Sequence, residues 1–408
     1  MVEMMIAFSL LTIFTITLFT LSSSMIDLKS WSIDRLIKMK EYSSEINGGI
    51  GTSTSYGNYT QIISNDFFSI SKSDYIESFG SHNCNPRLEF RDSYRYINAG
   101  VDIGSANSST DIEARNDYVY LVADSSNASK HDFFIVDARD HTNPIVISSL
   151  NTGPGISSID ISGPYAFVGV MSSVNQLQVI DISDRSNPKL ISQIKVPIPT
   201  ASTTAPFAVS IKYNKGYVYL GTTKWSGKEL FIIDVSNVYN PTVVGSLETN
   251  TQINDIYVIN DIAYLATSDE MQMRVIDVSD KSNPVLIDSF SSSGWQTQAG
   301  KTVSYFEGMT SLGRTTGGFN VPTNHELFTF NPDTSLDIPG GVYGILFGLK
   351  DIFVLTHSSE KEFQVYDRGD LSKKTDISLS IQAPRMSCDR NNIFFATGDS
   401  RGISILEL

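Results

Sequence analysis

Aspartates recur in this chain at the ends of Val/Ile-rich runs, each followed at a fixed distance by Asn-Pro. Four stretches align: FFIVDARDHTNP (Phe133–Pro144), LQVIDISDRSNP (Leu177–Pro188), LFIIDVSNVYNP (Leu230–Pro241) and MRVIDVSDKSNP (Met273–Pro284). From Asp to Pro the interval is seven residues every time: Asp137 to Pro144, Asp181 to Pro188, Asp234 to Pro241, Asp277 to Pro284. Carboxylates and amides repeated in this way can ligate a cation or close a turn. Asp and Asn side chains bond nearby backbone groups and tighten a reversal. Pro, without an amide hydrogen, is tolerated where an edge strand begins. Turn closure needs only the residues present and is the reading adopted. His82, His131, His141, His325 and His357 form no metal-ligand spacing, so neither a metal nor a cofactor is expected. The chain has no Gly-x-Ser-x-Gly elbow, P-loop or dinucleotide fingerprint, and an enzyme is not expected.

The elements that must carry these turns are strands. Before each repeat lies a hairpin with its tip at Asn116-Asp117, Ser162-Gly163, Asn214-Lys215-Gly216 or Asn260-Asp261, followed by YVYLV, YAFVGV, YVYLG or AYLAT. The aspartates are 44, 53 and 43 residues apart, the length of a four-stranded propeller blade. In a blade the third strand would end at the Asp and the outer strand begin after the Pro. FQVYD (Phe363–Asp367) stands 90 residues beyond Asp277, so one blade lies between, with LFTFNP (Leu327–Pro332) as its third strand. The chain ends with three strands and no fourth; RYINAGVDI (Arg95–Ile103) is expected to complete that last blade and close the ring. The expectation is an all-β, seven-bladed β-propeller over residues 94–408. These repeats resemble the LVIVD-type propeller repeat of bacterial and archaeal surface proteins, a likeness that implies architecture rather than a reaction.

Two insertions break the regularity. VPIPTASTTAPF (Val196–Phe207) separates blades two and three, and 291–325 carries Trp295, Tyr305, Phe306, Arg314 and Phe319. Exposed aromatics on propeller loops suit recognition; buried, they would only pack the blade. Cys84 and Cys388 belong to no Cys-x-x-Cys pair. A bridge between them would staple the closing region to the last blade.

Composition narrows the partners. Net charge is −14, so binding to nucleic acid through phosphate is not expected. Residues Met4–Ile26 form an uncharged apolar run long enough to span a membrane, with Glu3 before it and Lys29, Arg35, Lys38 and Lys40 after it. Near-helical apolar spacing continues to Tyr42, so 1–46 reads as a transmembrane α-helix and stalk, and 47–93 as a linker and irregular segment. Val2-Glu3-Met4-Met5-Ile6-Ala7 and the Thr- and Leu-rich helix after it resemble the N-terminal methylation motif of type IV pilins and pseudopilins. That resemblance implies that Glu3 pairs with the N-terminal amine of a neighbouring subunit during filament assembly. The leader, Gly and Phe that precede this Glu in the family are not in the sequence.

Together these readings give a membrane-anchored, extracytoplasmic or cell-surface protein. Its helix would meet other pilin-like subunits, and its propeller would bind a protein or glycan as an adhesion module. Two alternatives remain: an anchored extracytoplasmic scaffold outside any filament, and a propeller hydrolase or lyase.

Overall fold

The computed structural model describes residues 90–408 except 92, 106, 126–128, 199–204, 293–297, 317–324, 332 and 360. The expected helix and stalk over 1–46, with Glu3, therefore lie outside the described residues, as do Cys84, Trp295 and Phe319. Among the described residues no helix is long and apolar enough to cross a membrane. They form seven antiparallel four-stranded sheets. Six are sequential, over 107–150, 156–194, 208–247, 253–290, 300–336 and 342–377; the seventh joins Met386–Asp389, Asn392–Ala396 and Ile403–Glu407 to Arg95–Ile97. The ring closes as the repeats require. The borrowed strand is shorter than the expected Arg95–Ile103, pairing only Arg95, Tyr96 and Ile97 with Glu407, Leu406 and Ile405. Val101 and Ile103 then continue as single backbone donors to Arg401 and Ser400.

Local chemistry explains each blade. Asn116, Asp117, Lys215, Asn260 and Asp261 hold positive φ at hairpin tips, where short polar side chains and Gly are tolerated. The third strands, such as Phe133–Asp137 and Leu230–Asp234, are buried nearly throughout, because blades cover both of their faces. Asp137, Asp181, Asp234 and Asp277 each accept the N–H two residues on at 2.8–3.1 Å. Asp140, Asp184, Asn237 and Asp280 repeat that bond within the same turns. The aspartates are turn locks, and their local donors hold the Asp181, Asp234 and Asp277 carboxyls below the usual range.

A second recurring bond links the blades. Five residues before each strand-ending Asp, or Asn331 in blade five, stands a buried acid or amide: Asp132, Gln176, Glu229, Gln272, Glu326 and Glu362. Each accepts a backbone N–H where the chain leaves the outer strand for the next blade, from Thr152, Val196, Thr249, Ser292, Ile338 and Leu379 respectively.

The seven-residue turns also act as pegs. The residue four after the Asp reaches the preceding blade. His141 bonds Glu407, Arg185 bonds the Tyr120 hydroxyl at 2.9 Å, Val238 joins an apolar cluster, and Lys281 lies 5.6 Å from the Tyr217 ring centre. In blade six Leu371 does the same, packing in one cluster with Leu327 and Leu336 of blade five. Three outer strands receive such a turn at equivalent positions. Ser148 donates to the Arg185 carbonyl, Ser192 donates to the Val238 carbonyl, and Gly245 lies directly against the Lys281 carbonyl.

Candidate functional site

Inner strands from six blades, together with Arg385 and Met386 of the seventh, meet around a polar axial cavity of about 70 Å³. Asp111, Glu113, Asp160, Lys212, Asp255, Tyr257, Thr302, Ser304 and Arg385 supply its chemistry. Six of these strands carry a bulge at the same place, with Thr110, Ser157, Val209, Asn254, Lys301 and Tyr343 as the extra residues. A bulge re-aims the side chains beside it.

The carboxylates are already engaged. Asp111 accepts the Ile112 N–H and the Ile159 N–H of blade two, both at 2.9 Å. Asp160 accepts Ile161 and, from blade three, Tyr213, both at 2.8 Å. Asp255 accepts Ile256, Val303 and the Thr302 hydroxyl at 2.8–3.0 Å. At the closure, Ser387 accepts the Ala114 N–H and donates to Glu113, each at 3.1 Å. A side-chain oxygen thus accepts an inner-strand N–H of the neighbouring blade at four of the seven junctions, the seam between blades seven and one included.

Electrostatics follow from burial. Burial pushes Asp111 up to about 7, partly offset by Arg385. For Lys212 burial acts downward, but Asp160 at 3.5 Å and the nearby Glu113 carry it above its usual value. Tyr257 rises to about 12 through burial. Lys301, at the bulge, is lowered to about 8 by burial and then by Arg385, and its ammonium lies 5.5 Å from the Tyr343 ring centre. Asp111 could exchange protons near neutrality, but the cavity has room for a few waters and lies well below the ~300 Å³ of ordinary ligand pockets. Among the described residues no three His, Cys, Asp or Glu side chains are grouped to hold a metal.

The second candidate is open. Between blades four and five lies a groove of about 500 Å³, lined by Met273, Val275, Phe290, Phe328 and Phe330, with Asp288 and Asp333 at its polar margin. Phe290 stands 4.9 Å from both Phe328 and Phe330, centre to centre. The groove exists because blade five has no peg. Its third and outer strands, Leu327–Phe330 and Thr334–Leu336, are joined by only three residues, 331–333, where blades one to four use seven. Asp288 occupies the position held by Ser148, Ser192 and Gly245 in the earlier blades. The outer strand beside it, Val285–Phe290, stays exposed, with Ile287 at 54%.

The residues expected on recognition loops are placed otherwise. Tyr305, Phe306 and Arg314 lie in strands, not loops. Tyr305 stacks near Tyr264, and Phe306 packs on Phe347 and under the Arg368 guanidinium. Arg314 is fully buried, with its guanidinium 4.6 Å from the Phe328 ring centre and bonds to the His325 carbonyl and Ser292 hydroxyl. Its register partner, Gly300, sets it inside the hairpin rather than beyond it. Cys388 is buried in the last blade's inner strand and is not a free thiol; Cys84 lies outside the described residues.

Sequence reasoning passed over the channel. A signal was present: Asp111-Ile-Glu, Ser158-Ile-Asp, Ser210-Ile-Lys, Asp255-Ile-Tyr and Thr302-Val-Ser put polar residues on both sides of one aliphatic in successive inner strands.

Comparison with known proteins agrees with this architecture. The chain resembles the WD40 β-propeller domain of Doa1 (TM-score 0.52, 13% identity, covering 76% of this chain and 96% of that one). It also resembles a chain of the mitotic checkpoint complex (0.54, 12%, 78% and 94%) and the computationally designed Ika8 protein (0.50, 12%, 76% and 99%). At such identities the likeness is one of fold alone. No curated protein matches the chain. Residues 104–152, 156–196, 208–249 and 252–292 each match the LVIVD repeat. The chain therefore carries four consecutive LVIVD repeats, which form the first four blades of a seven-bladed β-propeller.

Proposed function

We propose that this is a pilin-like surface protein whose propeller is a recognition or adhesion module for a protein or glycan. The observation that carries the recognition half is the aromatic groove between blades four and five. It has the size of a ligand site and lies on the outside of the ring, whereas the axial cavity is small and its carboxylates are spent on backbone donors. An open groove walled by half-buried aromatics suits binding rather than turnover.

The anchoring half rests on Val2-Glu3 and the apolar run after it. In this reading Glu3 pairs with a neighbouring subunit's amine, since an acid at the mouth of a membrane helix is costly alone. A propeller is too bulky to repeat densely along a thin fibre, so the protein would be a minor or tip subunit. A bridge from Cys84 to Cys388 belongs to the same reading, as export favours disulfides.

Two experiments test the two halves. Full-length protein in membranes is compared with Glu3→Ala: the pilin reading expects normal insertion and lost filament incorporation, and equal incorporation sinks it. The purified protein is then exposed to arrays of surface proteins and glycans. Saturable binding to one class supports recognition; absence of binding across both refutes it.

A further inference from the structure

The groove between blades four and five is one of seven inter-blade junctions, and at five of the others the following blade fills the counterpart. The preceding blade's flank receives His141, Arg185, Val238, Lys281 or Leu371 from the turn of the following blade. Among the described residues blade five, whose turn is cut to three residues, places no such side chain on blade four. What is missing there is a polypeptide turn with one inserted side chain.

The walls specify that side chain. Three phenylalanines, Phe290, Phe328 and Phe330, provide ring faces and edges, and Asp288 and Asp333 provide negative charge. Elsewhere in this ring aromatic walls hold a cation at such junctions: Arg185 lies 4.4 Å from the Tyr118 ring centre, Lys281 lies 5.6 Å from Tyr217, and Arg368 lies 4.8 Å from Phe306. A cation over an aromatic face beside a carboxylate is doubly favoured. The chain's net charge of −14 draws basic partners in the same sense. The exposed strand Val285–Phe290 is the edge of its sheet along the groove, where an extended peptide can add, although its Ser289 N–H already donates to Asp288 at 2.8 Å.

We infer that this groove docks a turn of a partner protein, inserting an Arg or Lys between Phe290, Phe328 and Phe330 where blade five lacks its own peg. This inference rests on the recognition reading above and names its partner chemistry.

The molecule supplies its own probe. A cyclised, fluorescently labelled peptide with the blade-two turn, DISDRSNP, is titrated into the full-length protein and followed by anisotropy. Saturable binding is expected. It should weaken about tenfold or more when the peptide's Arg is replaced by Ala, and likewise in the Asp288→Lys protein. Asp288 is exposed, so that variant keeps its fold; circular dichroism checks this. Phe330→Ala serves as a second variant and should also weaken binding. No saturable binding, or equal binding by Asp288→Lys, overturns the inference. So does a concentration-dependent dimer of the peptide-free protein that Asp288→Lys abolishes, because a second copy would then be the occupant. The arrays separate the two levels. If they score a ligand and the peptide fails, only the occupant is wrong; if both fail, the recognition reading falls with it.

Discussion

Glu229 offers the sharpest test of how the blades are held together. It is fully buried, and its Oε2 accepts the Thr249 N–H at 2.8 Å, the Asn250 N–H at 3.0 Å and the Thr249 hydroxyl at 3.2 Å. Glu229→Ala strips the acceptor from two backbone donors, each costing about 1–3 kcal/mol, and leaves a small void, so a loss of about 3–5 kcal/mol is expected. Glu229→Gln should behave differently. Blades two and four already use Gln here, and Gln176 and Gln272 still accept the exit N–H through Oε1. Their amide nitrogens donate to the carbonyls of Pro206 and Gln298. Those residues stand two before the next inner strand, and Thr251 holds the same place for blade three. The Glu229 Oε1 has no partner of its own, so an NH2 in its place gains the Thr251 carbonyl rather than losing a bond. The expected change for Gln is within about 1 kcal/mol of zero. Urea unfolding followed by circular dichroism measures both. If Gln costs as much as Ala, the bond is not what holds the exit, and the argument from the sister blades fails.

Further outcomes follow from the same geometry. Burial raises Asp111 and Glu326 to about 7, so the folded state holds protons that the unfolded state has lost. Stability should therefore fall as pH rises from about 4 to 7, by on the order of 3 kcal/mol for each group, and level off above. Melting curves at pH 5 and pH 8 check the direction, and Glu326→Gln should flatten the difference. A Cβ at Gly245 would lie 1.9 Å from the Lys281 carbonyl oxygen. Gly245→Ala should thus push the blade-four turn off blade three and cost about 2 kcal/mol or more, measured by urea unfolding. Ser387→Ala removes the acceptor for the buried Ala114 N–H at the ring's seam, and hydrogen exchange should show that amide opening sooner by about 1–3 kcal/mol.

Much of the ring was legible because its determinants are local and repeated. Asp137, Asp181, Asp234 and Asp277 lock turns two residues away, so the same spacing returns whenever the turn does. The closing strand was legible for a negative reason: three strands at the chain's end leave an edge, and Arg95–Ile103 is the strand-like segment placed to cover it. The exit latch shows where this reading stops. It varies among Asp, Gln and Glu, and its partner lies 12–20 residues away, where another blade begins. A repeat defined by identity misses it; a repeat defined by acceptor chemistry would find it five residues before the Asp.

Blade five shows the opposite failure. The stretch 291–325 around Arg314 breaks the repeat, and its aromatic residues read from sequence as recognition loops. The register overrides that reading. Arg314 pairs with Gly300 at the end of the hairpin, and its guanidinium turns inward to brace Phe328. The binding feature was instead written as a deletion. In LFTFNP the Asn-Pro follows the strand directly, so the residues that form a peg in blades one to four have no counterpart. Read as a degenerate copy of its neighbours, this blade is an imperfect repeat. Read by what its neighbours place at that junction, it is a socket with its plug removed, and three phenylalanines line it half-buried. Function on a propeller of this kind is sought where the repeat is incomplete, because an inter-blade surface is left there for a partner to fill.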